Sequence, residues 1–344
     1  MKRGKTRGYQ KNAANFLGIR THMELANLLG ISLSQLEVLI NKPTYKEYTI
    51  RKKRHGVRII YDPSPMLKAV LKQLSFFLNA VYSTLQNDCV YGFIPHLDKT
   101  GPQKNIRENA IKHVGKNHLF SLDLKDFFHS ISTKRVFQIF QEEPFNFYKS
   151  IAVPLALLTT YRKSLPMGAN TSPILSNFAC LELDAELSRL ASRSDLEYTR
   201  YADDLTFSSD LPFTDQLKSD IREIIQKHGF QINEKKVRER SKNRRQVVTG
   251  IKVNTKPNLD RKYIRNLRAL LFDWRINGIY KAVIHHYNLD GIPTFQQITH
   301  FLSSTRGRIS FVGFVRGKED PIYQKLQVEF ERLTTFHGHK ELSG

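Results

Sequence analysis

The stretch Glu197-Tyr198-Thr199-Arg200-Tyr201-Ala202-Asp203-Asp204-Leu205-Thr206-Phe207-Ser208 constrains the fold more than any other. β-Branched and aromatic residues alternate with others on both sides of an Asp-Asp pair, which predicts two short strands around a tight turn. Adjacent carboxylates at a hairpin tip repel and raise each other's pKa unless a cation lies between them. A hard divalent ion such as Mg²⁺ takes a few carboxylate oxygens together with substrate phosphates, and this tip supplies such oxygens. A bare Asp-Asp pair also suits a solvated turn, because Asp is a common turn residue. The rest of the chain decides between the two.

Charge narrows the partner. Lys and Arg number 54 against 32 Asp and Glu, a formal net charge of +22. An excess this large predicts a polyanionic partner, and nucleic acid is favoured over lipid because no apolar run approaches the roughly 20 residues that span a bilayer. The basic start from Met1 to Arg7 lacks the apolar core of a signal peptide. Cys89 and Cys180 stand far apart, so a reducing cytoplasm is expected and a Cys-based zinc site is excluded. A chain of 344 residues holds one large or two to three small packed units.

In chain order, the first twenty residues are basic and weakly patterned, and a flexible arm touching phosphate is expected. Thr21 with Glu24 and Ser32 with Gln35 predict two capping boxes, each opening a short amphipathic helix, with Gly30 as the C-cap between them. The pattern resembles the opening of a helix-turn-helix, as any two capped amphipathic helices do. From Ile50 to Pro63, two β-prone runs flank Gly56 and a block of cations; this is either a solvated loop or a clamp for a triphosphate. Leu67 to Leu85 predicts a long amphipathic helix, and Tyr91 to Lys116 reads as a polar loop. Leu119 to Phe128 begins as an apolar strand interrupted by Asp123, which needs a cation partner if buried. Asp126 reads as a helix cap or structural bond.

Leu165 to Pro173 predicts a turn entering a helix with Ser172 at the N-cap and Pro173 at the first position; Gly168 would let backbone approach a ligand. Phe213 to His228 predicts a helix ended by Gly229. Phe230 to Lys236 then reads as a strand entering a basic turn, and Val247 to Val253 as one further short strand. Asp260 caps a helix with Tyr263, Leu267, Leu270, Leu271 and Trp274 on one face and Arg261, Lys262, Arg265 and Arg268 on the other; that basic face is either solvated or a nucleic-acid groove. Helices at Phe295–Ser304 and Asp320–Thr334 are expected around a turn at Arg306-Gly307-Arg308.

Cationic hairpin, strand with one Asp, Gly turn and helix, Asp-Asp hairpin and Lys-bearing segment follow one another in an order that closely resembles the fingers and palm of a reverse transcriptase. Tyr201-Ala202-Asp203-Asp204 resembles the family's YxDD box, and Asp123 its first catalytic aspartate. Leu165-Pro166, Gly168 and Ser172-Pro173 resemble its LPQG…SP block, with Met167 where the family usually has Gln. Lys52 or Lys53 and Arg58 match its triphosphate-binding finger loop, and Lys235 or Lys236 its late palm lysine. Within the family the chain resembles the bacterial retron enzymes most, through Asn109, Ala110 and His113 for NAxxH and Val248-Thr249-Gly250 for VTG.

The resemblance implies an α+β right-hand polymerase, with fingers, a palm built on an antiparallel sheet with helices behind it, and a small helical thumb. Residues 1–49 would be the basic arm and first helices, 50–122 fingers with part of the palm, 123–254 the palm core with a fingers insertion around 135–165, and 255–344 the thumb. Asp123, Asp203 and Asp204, with Leu124 in the same metal set, would hold two Mg²⁺ ions roughly 3.5–4 Å apart, or Mn²⁺ in their place. Lys52 or Lys53 and Arg58 would grip the β- and γ-phosphates of a dNTP, and Lys236 would protonate pyrophosphate. Met167 and Gly168 would lie against the incoming nucleotide, the thioether altering fidelity or rate. Phe128 resembles the gate that rejects a 2′-OH, although plain core is the other reading.

Retron resemblance implies copying of a cognate structured noncoding RNA (msr-msd) from a 2′-OH, giving branched DNA, in anti-phage defence with a separate effector protein. Asn109, His113, Val248, Thr249 and Gly250 would contact that RNA or position the priming strand, and Arg261, Arg265 and Arg268 would bind the template–primer duplex. No RNase H or effector domain is expected. The alternatives are another bacterial reverse transcriptase, group II intron-like or defence-associated, and a basic RNA-binding scaffold on a relict palm.

Overall fold

The computed structural model describes residues 3–51, 56–85, 88–94 and 103–340. Packing divides the chain into two units, Met1–Asn109 with Asn117–Arg240, and Ala110–Lys116 with Ser241–Gly344.

The first unit opens with α1 (Arg3–Leu17), α2 (His22–Leu29) and α3 (Leu33–Asn41). The expected flexible arm is therefore a helix. Tyr9, Ala13 and Phe16 recur at helical spacing, and Phe16 is fully buried against Phe77, Phe145 and Phe147. Both capping boxes form, and Gly30 takes the left-handed C-cap at φ 73°. Next come β1 (Tyr45–Arg51) and β2 (Val57–Pro63), an antiparallel ribbon, then α4 (Pro65–Tyr82), whose apolar face is the spine on which α1 and α2 pack.

The segment expected to be a polar loop contains α5 (Ile106–Ile111). After it lie β3 (His118–Asp123), α6 (Phe127–Ser130), α7 (Thr133–Gln141), α8 (Lys149–Thr159), α9 (Ser172–Ala179) and α10 (Leu181–Arg193). The N-cap of α9 is Thr171, one residue earlier than expected, because the Ser172 hydroxyl instead donates to the Pro166 carbonyl at 2.7 Å. Asp126 is the N-cap of α6, but its side chain makes no capping bond.

Completing the unit are β4 (Glu197–Tyr201), β5 (Asp204–Ser209), α11 (Asp215–Lys227), a 3₁₀ turn at Glu234–Lys236, and β6 (Arg238–Ser241). The sheet order is β4-β5-β3-β6, with β5 antiparallel to both β4 and β3. The strand expected from Phe230 reduces to a single bridge between Leu124 and Ile232, since the chain turns at Glu234 before a ladder can grow. α9, α10 and α11 back this sheet, burying Leu175, Phe178, Leu187, Ile221 and Ile225.

The second unit holds β7 (Val247–Val248), β8 (Ile251–Lys252), α12 (Arg261–Tyr287), α13 (Phe295–Arg316) and α14 (Pro321–Lys340). What reads as one strand is a hairpin, since Thr249 and Gly250 both take positive φ, 46° and 85°, and reverse the chain. No turn forms at Arg306-Gly307-Arg308, because α13 carries buried Phe301, Thr305, Ile309 and Val312 straight through it. α12 is capped by Asp260 and kinks at Gly278, where φ is 77°. Trp274 packs edge-on against Phe301 and Phe330, joining the three helices. Among the described residues no single helix is long and apolar enough to cross a membrane.

Candidate active site

Strand register brings the carboxylates together. Asp123 ends β3 directly opposite Asp204, the first residue of β5, and Asp203 occupies the two-residue turn before it. The Asp203 carbonyl accepts a 2.9 Å bond from the Leu124 N–H, which fastens the turn to the neighbouring strand. Leu124 buries its side chain, so only its backbone carbonyl is available as a ligand.

The electrostatics are those of crowded acids. Burial raises the Asp203 pKa, as does Asp123, while Lys236 and Arg58 pull it down. Asp204 is pushed up to about 6 by the protein packed around it, then by Asp203 and Asp123. Its side chain nevertheless keeps a solvent-facing edge. Asp123 is buried and has the cation that the strand pattern demanded, with Lys236 Nζ 2.5 Å from Oδ1 and Asn233 Nδ2 3.2 Å from Oδ2. Among the described residues, no three His, Cys, Asp or Glu side chains stand at metal-holding geometry. The donor set still fits a hard divalent cation: three oxygen ligands share one sheet end, and their mutual repulsion is what such an ion relieves.

Arg58, exposed on β2, is the weakest of the charges that pull the Asp203 pKa down. Lys52 and Lys53 lie outside the described residues. Met167 is half-buried, and its carbonyl accepts from Tyr61 N at 2.8 Å. Gly168, at φ 121°, has the Tyr61 carbonyl 2.7 Å from where a Cβ would stand. The close approach it permits in this structure is thus to β2. Phe128 is half-buried between Phe127 and Phe93, with ring centroids at 5.5 and 6.1 Å. Lys235 is exposed, and of the two lysines it is Lys236 that makes the ion pair with Asp123.

The residues expected to meet RNA fall into two groups. Asn109, His113 and Val248 are buried, and burial pushes His113 down to about 3, so it is neutral. All three side chains are interior in this structure. Thr249 is half-buried and Gly250 exposed at the tip of the β7–β8 hairpin. Gly115, just past His113, donates to the Val253 carbonyl at 2.9 Å, so Ala110–Lys116 and the β7–β8 hairpin share one unit, while Asn109 ends a segment of the other. Arg261, Arg265 and Arg268 are exposed and line a groove of about 730 Å³ floored by Leu259, Ile264 and Ile322.

Sequence reasoning missed the support under the turn. Arg200 and Asp184 form a fully buried ion pair at 2.6 Å, to which Tyr198 OH donates at 2.9 Å. Arg200 Nη1 also reaches the Asn177 Oδ1 at 3.1 Å and the Ala202 carbonyl at 3.2 Å. Gly92 closes the other side, for a Cβ there would stand 2.5 Å from Ala202 N. Ala202 is thereby held at φ 57°, a conformation that costs a non-glycine residue. One signal was available: Asp184 falls on the buried stripe that runs from the N-cap Cys180 through Leu187 and Ala191 of α10, where an acid requires a partner.

Comparison with known proteins agrees with this arrangement. Residues 50–254 match the family model described as reverse transcriptase (RNA-dependent DNA polymerase). The chain is similar to the retron Mx65 reverse transcriptase of Myxococcus xanthus, 32% identical over 80% of this chain and 67% of that one. It is 32% identical to the Mx162 enzyme of the same organism over 72% and 57% of the two chains. The Escherichia coli Ec86 retron reverse transcriptase is 31% identical over 72% and 75%. The match therefore spans between 57% and 75% of these relatives' own length.

Proposed function

The chain belongs to the reverse transcriptases, RNA-directed DNA polymerases, and among them to the retron group; on that premise we propose that it copies a cognate structured noncoding RNA into single-stranded DNA. Synthesis starts from a 2′-OH of that RNA and leaves a branched RNA–DNA product. It takes place in the bacterial cytoplasm, as one half of an anti-phage system whose toxic activity lies in a separate effector protein. The observation that carries the polymerase reading is the cross-strand pairing of Asp123 with Asp204 beside Asp203.

Asp123, Asp203, Asp204 and the Leu124 carbonyl are the groups that would hold two Mg²⁺ or Mn²⁺ ions. Such ions, when bound, make the attacking hydroxyl more acidic and neutralise the leaving pyrophosphate. The chain's own residues do the rest. Arg58 brings a cation within electrostatic reach of Asp203, on the side from which the triphosphate of a dNTP would be gripped. Lys236 holds its protons at Nζ beside Asp123 and is the group placed to give one to pyrophosphate. Phe128 offers a ring face under the sugar, and its bulk disfavours a 2′-OH. Thr249, Gly250 and the Arg261, Arg265 and Arg268 row are the accessible contacts for RNA, chiefly through phosphate and 2′-OH groups.

The test is to purify the chain from its native operon and treat the bound nucleic acid with RNase and a 2′,5′-debranching enzyme. The Asp203→Asn, Asp204→Asn double variant runs alongside. Branched DNA in the wild type alone supports the proposal. Linear DNA, or DNA joined to protein, would assign the chain to another mode of priming. RNA without DNA in both would reduce it to a scaffold.

A further inference from the structure

The finger ribbon is gripped at its base from both faces. In the β1–β2 register Glu47 pairs with Tyr61, so the two side chains share a face, and Tyr45 lies two residues along on the same side. Against that face stands the turn Tyr161-Arg162-Lys163-Ser164. The Arg162 guanidinium makes a 3.0 Å ion pair with Glu47 and lies 5.6 and 5.5 Å from the ring centroids of Tyr61 and Tyr161. Tyr161 in turn packs on Tyr45 and Tyr61, at 4.5 and 5.4 Å. Arg58 and Ile60 point to the opposite face, where Ile60 meets the Gly168 turn.

The gripping turn is strained. Arg162 and Lys163 are consecutive non-glycine residues at φ 48° and 67°. Tyr161 and Ser164 exchange backbone bonds of 2.9 and 3.1 Å, and Lys163 O accepts from Thr133 N at 3.0 Å, which holds the strain in place. Left-handed backbone at two successive side-chain-bearing residues persists only where its surroundings enforce it, and it clusters where geometry serves function. Neither residue is needed for the core, since both are exposed.

We propose that Arg162 is a positioning residue for nucleotide binding: by clasping the Glu47–Tyr61 cross-strand pair, it fixes the ribbon that carries Arg58 on its opposite face, and with it the aim of that cation toward the triphosphate. Arg162 pairs with Glu47 and none of the catalytic aspartates. A surface ion pair contributes little stability by itself, so the effect is on aim. Arg58 lies three residues from the clasped Tyr61, and an ångström of drift there displaces the phosphate contact.

The experiment is steady-state dNTP incorporation by the full chain on a generic primed RNA, which does not depend on the native RNA or on 2′-OH priming. Arg162→Ala raises the KM for dNTP roughly 5- to 10-fold while kcat stays within about 2-fold, the pattern of lost binding. Arg162→Lys keeps the charge for Glu47 without the planar stack and falls between the two. Amide exchange accelerates across residues 45–51 and 57–63 but not across 118–123. An unchanged KM overturns the proposal, and so does a parallel loss of kcat, thermal stability and palm protection, which would mark Arg162 as merely structural. Should Arg162→Ala not fold, Glu47→Gln carries the test, with a smaller KM rise supporting it and none overturning it.

Discussion

Arg200 and Asp184 are joined at 2.6 Å with 0% and 1% of their side chains exposed, beneath the turn that carries Asp203. A buried pair of this kind is a constraint more than a source of stability. Removing one member leaves an uncompensated charge, whereas removing both does not. Asp184→Ala should therefore destabilise the protein by about 3–5 kcal/mol in denaturant unfolding. The double variant Asp184→Leu, Arg200→Met should regain most of that loss. It should not regain polymerase activity, because the Ala202 carbonyl loses its donor and the turn loses its fixed shape.

The carboxylates make the ion-free protein pH-sensitive in a defined direction. The folded pKa values of Asp203 and Asp204 lie above the unfolded value of 3.8, Asp204 at about 6. The folded state thus binds more protons, and their contribution to stability falls as pH rises from about 4 to beyond 6. In thermal melts with chelator, wild type should lose stability relative to Asp204→Asn across that interval. Adding Mg²⁺ at pH 7.5 should reverse the order.

Lys236 competes with any cation for Asp123 Oδ1. Lys236→Met should tighten Mn²⁺ binding in calorimetry yet slow nucleotide incorporation by roughly 10²-fold, the ordinary contribution of a general acid. Equal losses in both would deny it the proton-donor role.

Gly92→Ala would drive a Cβ to 2.5 Å from Ala202 N, a backbone atom that cannot swing aside. A cost of about 1–3 kcal/mol is expected. Primer extension should fall far more than RNA binding, which a filter assay would separate.

Met167→Gln restores the residue usual in the family. The backbone bond from Tyr61 N to Met167 O does not involve the side chain, so stability should change by less than about 0.5 kcal/mol. Misincorporation and single-nucleotide rates are where the substitution should register.

Much of the site was legible because its signals are local. The Asp-Asp hairpin, both capping boxes and the cation required by Asp123 follow from alternation, capping and the cost of a buried charge. What escaped was non-local or masked by composition. Basic residues hid the Tyr9–Ala13–Phe16 face of α1. β-Prone valines on both sides of Thr249-Gly250 looked like one strand, since a turn with two left-handed residues usually advertises itself with Asn or Asp. Gly307 looked like a break, although the packing of α13 outweighs the propensity of one glycine. Asn109 and His113 entered through the NAxxH resemblance, which carries no information on burial, and both are interior.

The seven residues Ala110–Lys116 belong with Ser241–Gly344 although they sit, in chain order, inside the other unit. The two units are consequently interleaved, and no single cut separates them. A graft that exchanges only the C-terminal stretch between relatives would import one side of the Gly115–Val253 bond and leave the other behind. The second unit is a two-segment property of the chain, and recombination that respects it must carry both pieces together.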